Sequence, residues 1–439
     1  MQLEFISNTG LYLEHAGMVI GMDLWFTQGA FEGSWFHYPP LRRTKFSIKD
    51  CQYIYISHIH PDHCDLKALS EASRKVMFIV PNYFKQLLER KLRAFGFKRV
   101  ISLAPEQQVT LDCGARVTLF GQFVNNLYAK ADFGNLIDSA ILVEWDGKVI
   151  LNCNDNYLDE QSARAIVERY PAIDLALMPH SASGPYPASF RNLTTAEKVS
   201  EALRLQRQYI AHFVQMTGII KPRLVVPMAA EYAIVGRMYE KNPHIGLASA
   251  HDAVNAVYEG MAKSGGKTRA IHLDCGTILN LDTTEVSGLP VRQSAMTALM
   301  EFATDLKDIP YSYDWETACT NVAEFDALMQ KARQHIWNVQ TRLNWKRDYN
   351  VYLSVDEELG YAFNFSEMGY TKLDGYPEKK IAPFLECFLS RQLLYSILTR
   401  RSHWNNAEGG LHIDFNRDPN EYVPEVFVLL SFLHVPVQA

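Results

Sequence analysis

Four residues able to bind metal fall within six positions at the end of one apolar run, and no other feature restricts this chain as strongly. Gln52-Tyr53-Ile54-Tyr55-Ile56 reads as a strand, and Ser57-His58-Ile59-His60-Pro61-Asp62-His63 follows it directly. Side chains alternate faces in extended chain, so His58 and His60 project to the same side. Asp62 and His63 fall in the turn and point back toward that space. Imidazole and carboxylate donors grouped this closely make a nucleus for one or two metal ions.

A second feature brings two more carboxylates into range. Ser139 to Trp145 and Lys148 to Cys153 are apolar runs separated by Asp146-Gly147, the strongest short hairpin signal. With a two-residue loop Trp145 faces Lys148 and, counting outward, Asp138 faces Asp155. If pairing persists to the strand ends, the two carboxylates share a face with β-carbons about 5 Å apart. Carboxylates so close do not both stay ionised without a cation, and a metal between them resolves the conflict.

Composition narrows the function classes. A net charge of −6 and a pI near 6.2 leave no electrostatic footprint for nucleic acid or an anionic membrane. Met1-Gln2-Leu3-Glu4-Phe5 has neither the cationic start nor the apolar core of a signal peptide, and the longest apolar run, Val426 to Val437, is too short for a bilayer. Seven scattered cysteines without a CxxC pair point to reduced thiols and a cytoplasmic protein, and exclude a zinc ribbon.

The 439 residues suit a large domain and a smaller one. Up to about residue 285, strand-like runs alternate with amphipathic ones, including Val76–Val80, a helix from Tyr83 to about Phe95, strands Ile173–Met178 and Leu224–Pro227, and a long helix from Thr195 to Thr217. A layered sheet core flanked by helices fits this order, giving an α+β fold. From 286 to 439 helical stretches dominate (Ala295–Leu306, Thr317–Leu343, Pro383–Leu398), with a hairpin at Val351–Phe365. This part reads as a mostly helical C-terminal α+β domain or cap.

The run SHIHPDHCD resembles the HxHxDH signature of the metallo-β-lactamase superfamily. Gly21-Met22-Asp23 resembles its first motif, whose Asp supports the metal loop, and Asn152-Cys153-Asn154-Asp155 the strand end whose Asp bridges two metals. More narrowly, residues 22–40, 51–65, 138–155, 181–190 and 221–232 resemble, in the same order, the catalytic part of CMP-N-acetylneuraminate hydroxylase and UDP-N-acetylmuramate hydroxylase. Asn416-Arg417-Asp418-Pro419-Asn420-Glu421-Tyr422 is a fainter echo of that group's end. The resemblance implies a four-layered αββα sandwich, a binuclear centre and an oxygenase using two iron ions, with zinc or manganese as alternatives.

Two departures shape the expectations. No histidine lies between His63 and His180, and Asp138 takes the place of the third-motif histidine, as in the hydroxylase group. Site one would then be His58, His60 and Asp138, and site two Asp62, His63 and Asp155. After Leu224-Val225-Val226-Pro227 the fifth-motif histidine is also missing, so Glu231 or His180 would complete site two or leave it weak; with Asp62 they are the catalytic candidates. The Cys-x-His and Cys-x-x-His ligands of a Rieske centre are absent too, so an oxygenase would draw electrons from a separate Rieske protein or ferredoxin, or from the substrate. Trp25 and Trp35, in the aromatic loop after Asp23, either stack on substrate or fill the core. Ser183 and Tyr186 lie in a loop suited to a small polar substrate, nucleotide-sugar, amino or acyl in type. A hydrolase of amides, esters or phosphodiesters stays open beside the oxygenase.

Overall fold

The computed structural model describes residues 1–83, 86–123, 138–292, 295–318 and 322–436. Two sheets face one another. The first has eight strands, in the order Val286–Gly288, Thr277–Asn280, Gln2–Ser7, Gly10–His15, Met18–Met22, Tyr53–Tyr55, Met77–Pro81 and Val100–Leu103. The second has seven: Arg269–Ala270, Leu224–Met228, Leu175–Pro179, Lys148–Asn152, Ala140–Trp145, Arg116–Phe120 and Gln108–Thr110.

Period-two alternation explains the layering. Tyr53, Tyr55, Ile141 and Val143 turn inward and join Leu13, Ile20, Leu177 and Val226 in the core between the sheets. Their neighbours point the other way. Ile54 and Phe78 pack beneath the helix Leu87–Ala94, through Leu88 and Leu92. Leu142, Leu151 and Ala176 meet Phe213 and Met216 of the helix Thr195–Ile220 and Ile166 of the helix Glu160–Arg169. Both faces of both sheets are therefore apolar and covered, which gives the αββα sandwich.

The later part of the chain builds a second core around a five-stranded sheet, ordered Thr371–Leu373, Gly360–Asn364, Asn350–Ser354, Phe384–Phe388 and Asp414–Asp418. The helices Met296–Asp305, Val322–Arg342 and Arg391–Leu398 follow the sequence reading. One expected helix is corrected. Pro383–Leu398 divides, with Phe384–Phe388 paired between two strands and the helix starting only after Ser390, whose side chain caps Leu393 N. The Phe-Leu-Glu-Cys-Phe run satisfies a buried strand, and the length of the apolar stretch concealed the break.

The edge strand Asp414–Asp418 ties this unit to the sandwich. Phe415 N donates to Ser189 O at 2.8 Å, and Arg191 N returns to Phe415 O at 2.6 Å. Trp35 Nε1 donates to Gly409 O at 3.0 Å, and His412 Nε2 lies 2.9 Å from Phe31 O.

Candidate metal centre

The histidine loop rests on a bed prepared by the first sheet. The strand Met18–Met22 runs parallel to Tyr53–Tyr55, and Asp23, just past its end, turns the chain at φ 45°. Its fully buried carboxylate accepts from Ser57 N at 2.8 Å and Ser57 Oγ at 2.7 Å, and His63 Nδ1 lies 3.0 Å from it. Close packing makes this possible: a β-carbon on Gly21 would stand 2.7 Å from Leu24 Cδ1. Two further supports come from the turn after the first strand. Asn8 Nδ2 donates to Asp62 Oδ2 at 2.9 Å, and Thr9 Oγ1 lies 3.2 Å from His63 Nδ1.

With Nδ1 of His63 engaged below, Nε2 is buried without a hydrogen bond. It lies 3.3 Å from Asp62 Oδ2 and 3.4 Å from Asp155 Oδ2, and His58 Nε2 lies 3.8 Å from the same Asp155 oxygen. Donor atoms bound tetrahedrally at about 2.1 Å stand about 3.4 Å from one another. His58, His63 and Asp155 approach that spacing, with their donors all within 4.8 Å. Asp62 Oδ1 and Asp155 Oδ1 are also buried without partners, so the donor set fits a cation. His60 contacts the group through a 2.9 Å hydrogen bond between its Nδ1 and His58 Nε2, and Asp138 Oδ1 lies 3.8 Å from His58 Nδ1.

Asp138 and Asp155 reach His58 by a route the hairpin alone does not give. The strands pair as expected from Trp145–Lys148, across a turn with positive φ at Asp146 and Gly147, but the ladder stops at Ile141–Asn152. Beyond it, Asn154 adopts φ 55° and its Nδ2 donates to Ser139 O at 3.0 Å, holding the two ends together.

Electrostatics match a site awaiting positive charge. Burial, then the charges of Asp155 and Asp62, raises Asp138 above the ordinary carboxylate range. Burial opposes ionisation of Asp155 as well, yet His58 and His63 hold it below that range. Burial also disfavours protonated His63, but Asp62, Asp155 and Asp23 outweigh it and raise the imidazole well above its usual value. Burial pushes His58 down to about 4 and His60 down to about 3, leaving both neutral, as ligands must be.

The structure takes His180 and Glu231 elsewhere. His180 Nδ1 and Nε2 lie 2.9 and 3.1 Å from the carbonyls of Met228 and Ala248, so both ring nitrogens are occupied. Both residues line a separate cavity of about 400 Å³, where burial, then Asp274, pushes Glu231 up to about 8. Trp25 is buried against His37, with ring centroids 3.7 Å apart, and serves the core.

Trp35, Ser183 and Tyr186 do line a cavity of about 670 Å³ whose lining also includes the candidate donors His60, Asp62 and Asp155. Sequence reasoning missed the opposite wall. Asn405, Glu408, Arg417 and Tyr422 come from the C-terminal unit, and Arg204 and Tyr209 from the long helix. The only signal for any of them was the Asn416–Tyr422 motif, which named Arg417 without a task.

No protein-family model matches the chain. Proteins described as Rieske 2Fe-2S iron–sulfur proteins of Mycobacterium tuberculosis and Mycolicibacterium smegmatis are each 25% identical, over 219 and 210 residues. These matches take in 48% and 47% of this chain, and the chain spans only 41% and 39% of the relatives. The similar solved structures are metallo-β-lactamase-fold proteins. Igni18, a metallo hydrolase from Ignicoccus hospitalis, is 17% identical with a TM-score of 0.41, covering 66% of this chain and 99% of its own. CmlA, a diiron β-hydroxylase from Streptomyces venezuelae, is 15% identical with a TM-score of 0.42, covering 66% of this chain and 54% of its own.

Proposed function

We propose that the protein is a metal-dependent enzyme in which His58, His60, Asp62, His63, Asp138 and Asp155 hold two metal ions, iron ahead of zinc or manganese. Residues 1–285 would form the catalytic domain and 286–439 the cap over its cavity. The leading reading is a non-haem di-iron oxygenase, hydroxylase-like, acting on a small polar substrate. One observation carries it. Asp138 and Asp155 flank His58 at 3.8 Å each, so the donors are carboxylate as much as imidazole, a balance that suits redox-active iron. The Mycobacterium relatives are named as iron–sulfur proteins, while this chain lacks the Rieske ligand spacing. A separate Rieske protein or ferredoxin would then supply electrons.

Iron held by these residues would supply electrons to O₂, whereas zinc would lower the pKa of a water. The chain's own residues do the rest. Asp23 fixes the His63 ring through Nδ1, and Asn8 orients Asp62. Phe31 and Trp35 exclude water along one flank of the cavity. A hydrolase is the second reading; there the unpartnered Asp62 Oδ1 would take a proton from an attacking water in place of binding metal.

Metal analysis followed by anaerobic reduction and stopped-flow addition of O₂ separates the two. Rapid O₂ consumption by the iron protein is expected; zinc-only protein that stays inert to O₂ after iron reconstitution would sink the oxygenase. Asp138→Ala is expected to lose at least one equivalent of metal, and unchanged stoichiometry would remove Asp138 from the set.

A further inference from the structure

The cavity lined by Asp62 and Asp155 also contains an arginine that forms no ion pair among the described residues. Arg417 is 7% exposed, on the strand Asp414–Asp418, and lines the same cavity as Asp62 and Asp155. Its Nε donates to Asn420 Oδ1 at 2.8 Å, and its guanidinium lies 4.6 Å from the Phe190 ring centroid and 5.0 Å from that of Tyr186. Among the described residues no carboxylate lies within ion-pairing distance of it, although the charge of Glu421 acts on it from farther away, and no acceptor meets its two terminal nitrogens. A guanidinium packed against two rings that stand edge to face, with its terminal nitrogens unclaimed among the described residues, is positioned for a planar anion, which it would grip through two parallel hydrogen bonds.

The surroundings select which anion. Arg204, the other arginine at the cavity, is already committed to Glu201 at 2.9 Å and to Gln208 at 2.8 Å. Glu408 lines the cavity as well, and Asp62 and Asp155 form the floor. A single unclaimed guanidinium fork matches the two oxygens of one carboxylate, and no second uncommitted cation lines the cavity among the described residues to take up the further charge of a phosphate dianion or a diphosphate.

Building on the metal-centre reading, we infer that the substrate is a small carboxylic acid whose carboxylate pairs with Arg417 while its reacting end lies over the His/Asp cluster. The substrate then spans the cavity from the C-terminal wall to the metal floor. Arg417 is a binding residue that fixes which atom faces the donors.

Calorimetric titration of phenylacetate, phenylacetamide and phenyl phosphate tests this, using the metal-loaded protein and the same protein after chelation. Wild type should bind the acid at least about tenfold more tightly than the amide, the scale of one charge-assisted hydrogen-bond pair, and more tightly than the phosphate. Arg417→Gln should abolish the preference for the acid, and Arg417→Lys should restore part of it, with circular dichroism confirming that each variant folds. The preference should survive chelation, so a failure of the metal reading leaves this test interpretable. Equal binding of acid and amide, tighter binding of the phosphate, or an acid preference that vanishes with the metal but not with Arg417→Gln would each overturn the inference.

Discussion

The Asp23 carboxylate is fully buried, engaged by Ser57 and His63 and kept from solvent. Through that contact it sets the tautomer and orientation of His63. Asp23→Asn preserves the size and removes the charge that holds Nδ1–H of His63, so metal affinity should fall about 10- to 100-fold with little change in fold. Chelator competition measures the affinity, and a wild-type value would make Asp23 merely structural. At this scale the contiguous cluster of His58, His60, Asp62 and His63 was legible because a strand period and a turn bring these side chains together without long-range information. Asn8 and Thr9 were not, since their nearness to the histidine loop exists only once the first sheet has formed. His180 sits at a strand end, as read, but two backbone carbonyls claim its ring; nothing local in the sequence encodes Met228 O or Ala248 O.

Among elements, the hairpin Ala140–Trp145/Lys148–Asn152 shows both the reach and the limit of pattern reasoning. Asp-Gly set the turn and the register, whereas the end of the ladder depends on Asn154, whose left-handed backbone and side-chain bond to Ser139 O replace the missing pairs. Asn154→Gly keeps that backbone available and removes the bond, stranding a buried carbonyl at a cost of about 1–3 kcal/mol. Urea denaturation should show this loss, and metal content should fall with it because Asp138 and Asp155 are no longer held together. Stability and stoichiometry both unchanged would mean the strand ends need no clamp. The strand Phe384–Phe388 was read as helix for a related reason: an apolar run carries no period of its own, and only its pairing partners decide.

In the molecule as a whole, the cavity is a joint product of the sandwich and the C-terminal unit. Burial pushes the Glu408 carboxyl up to about 7 from its usual 4.5, so folding favours its neutral form. The folded protein then holds a proton that the unfolded chain releases between these values, and the group's contribution to stability declines as pH rises from about 4.5 through 7. Wild type should lose up to about 3 kcal/mol relative to Glu408→Gln over that window, with no further change above it. Parallel denaturation series of the two proteins at several pH values check this, and superimposable pH profiles would refute it. No helix among the described residues is long and apolar enough to cross a membrane.

The separation of floor from wall along the chain also has a consequence in time. Residues 8 to 155 supply the bed and the candidate metal donors, whereas residues 405 to 427 supply much of the remaining lining of the cavity. On the ribosome the donors emerge first and stand open while the wall is still unmade, so the nascent chain offers ions a wider entrance than the finished protein does.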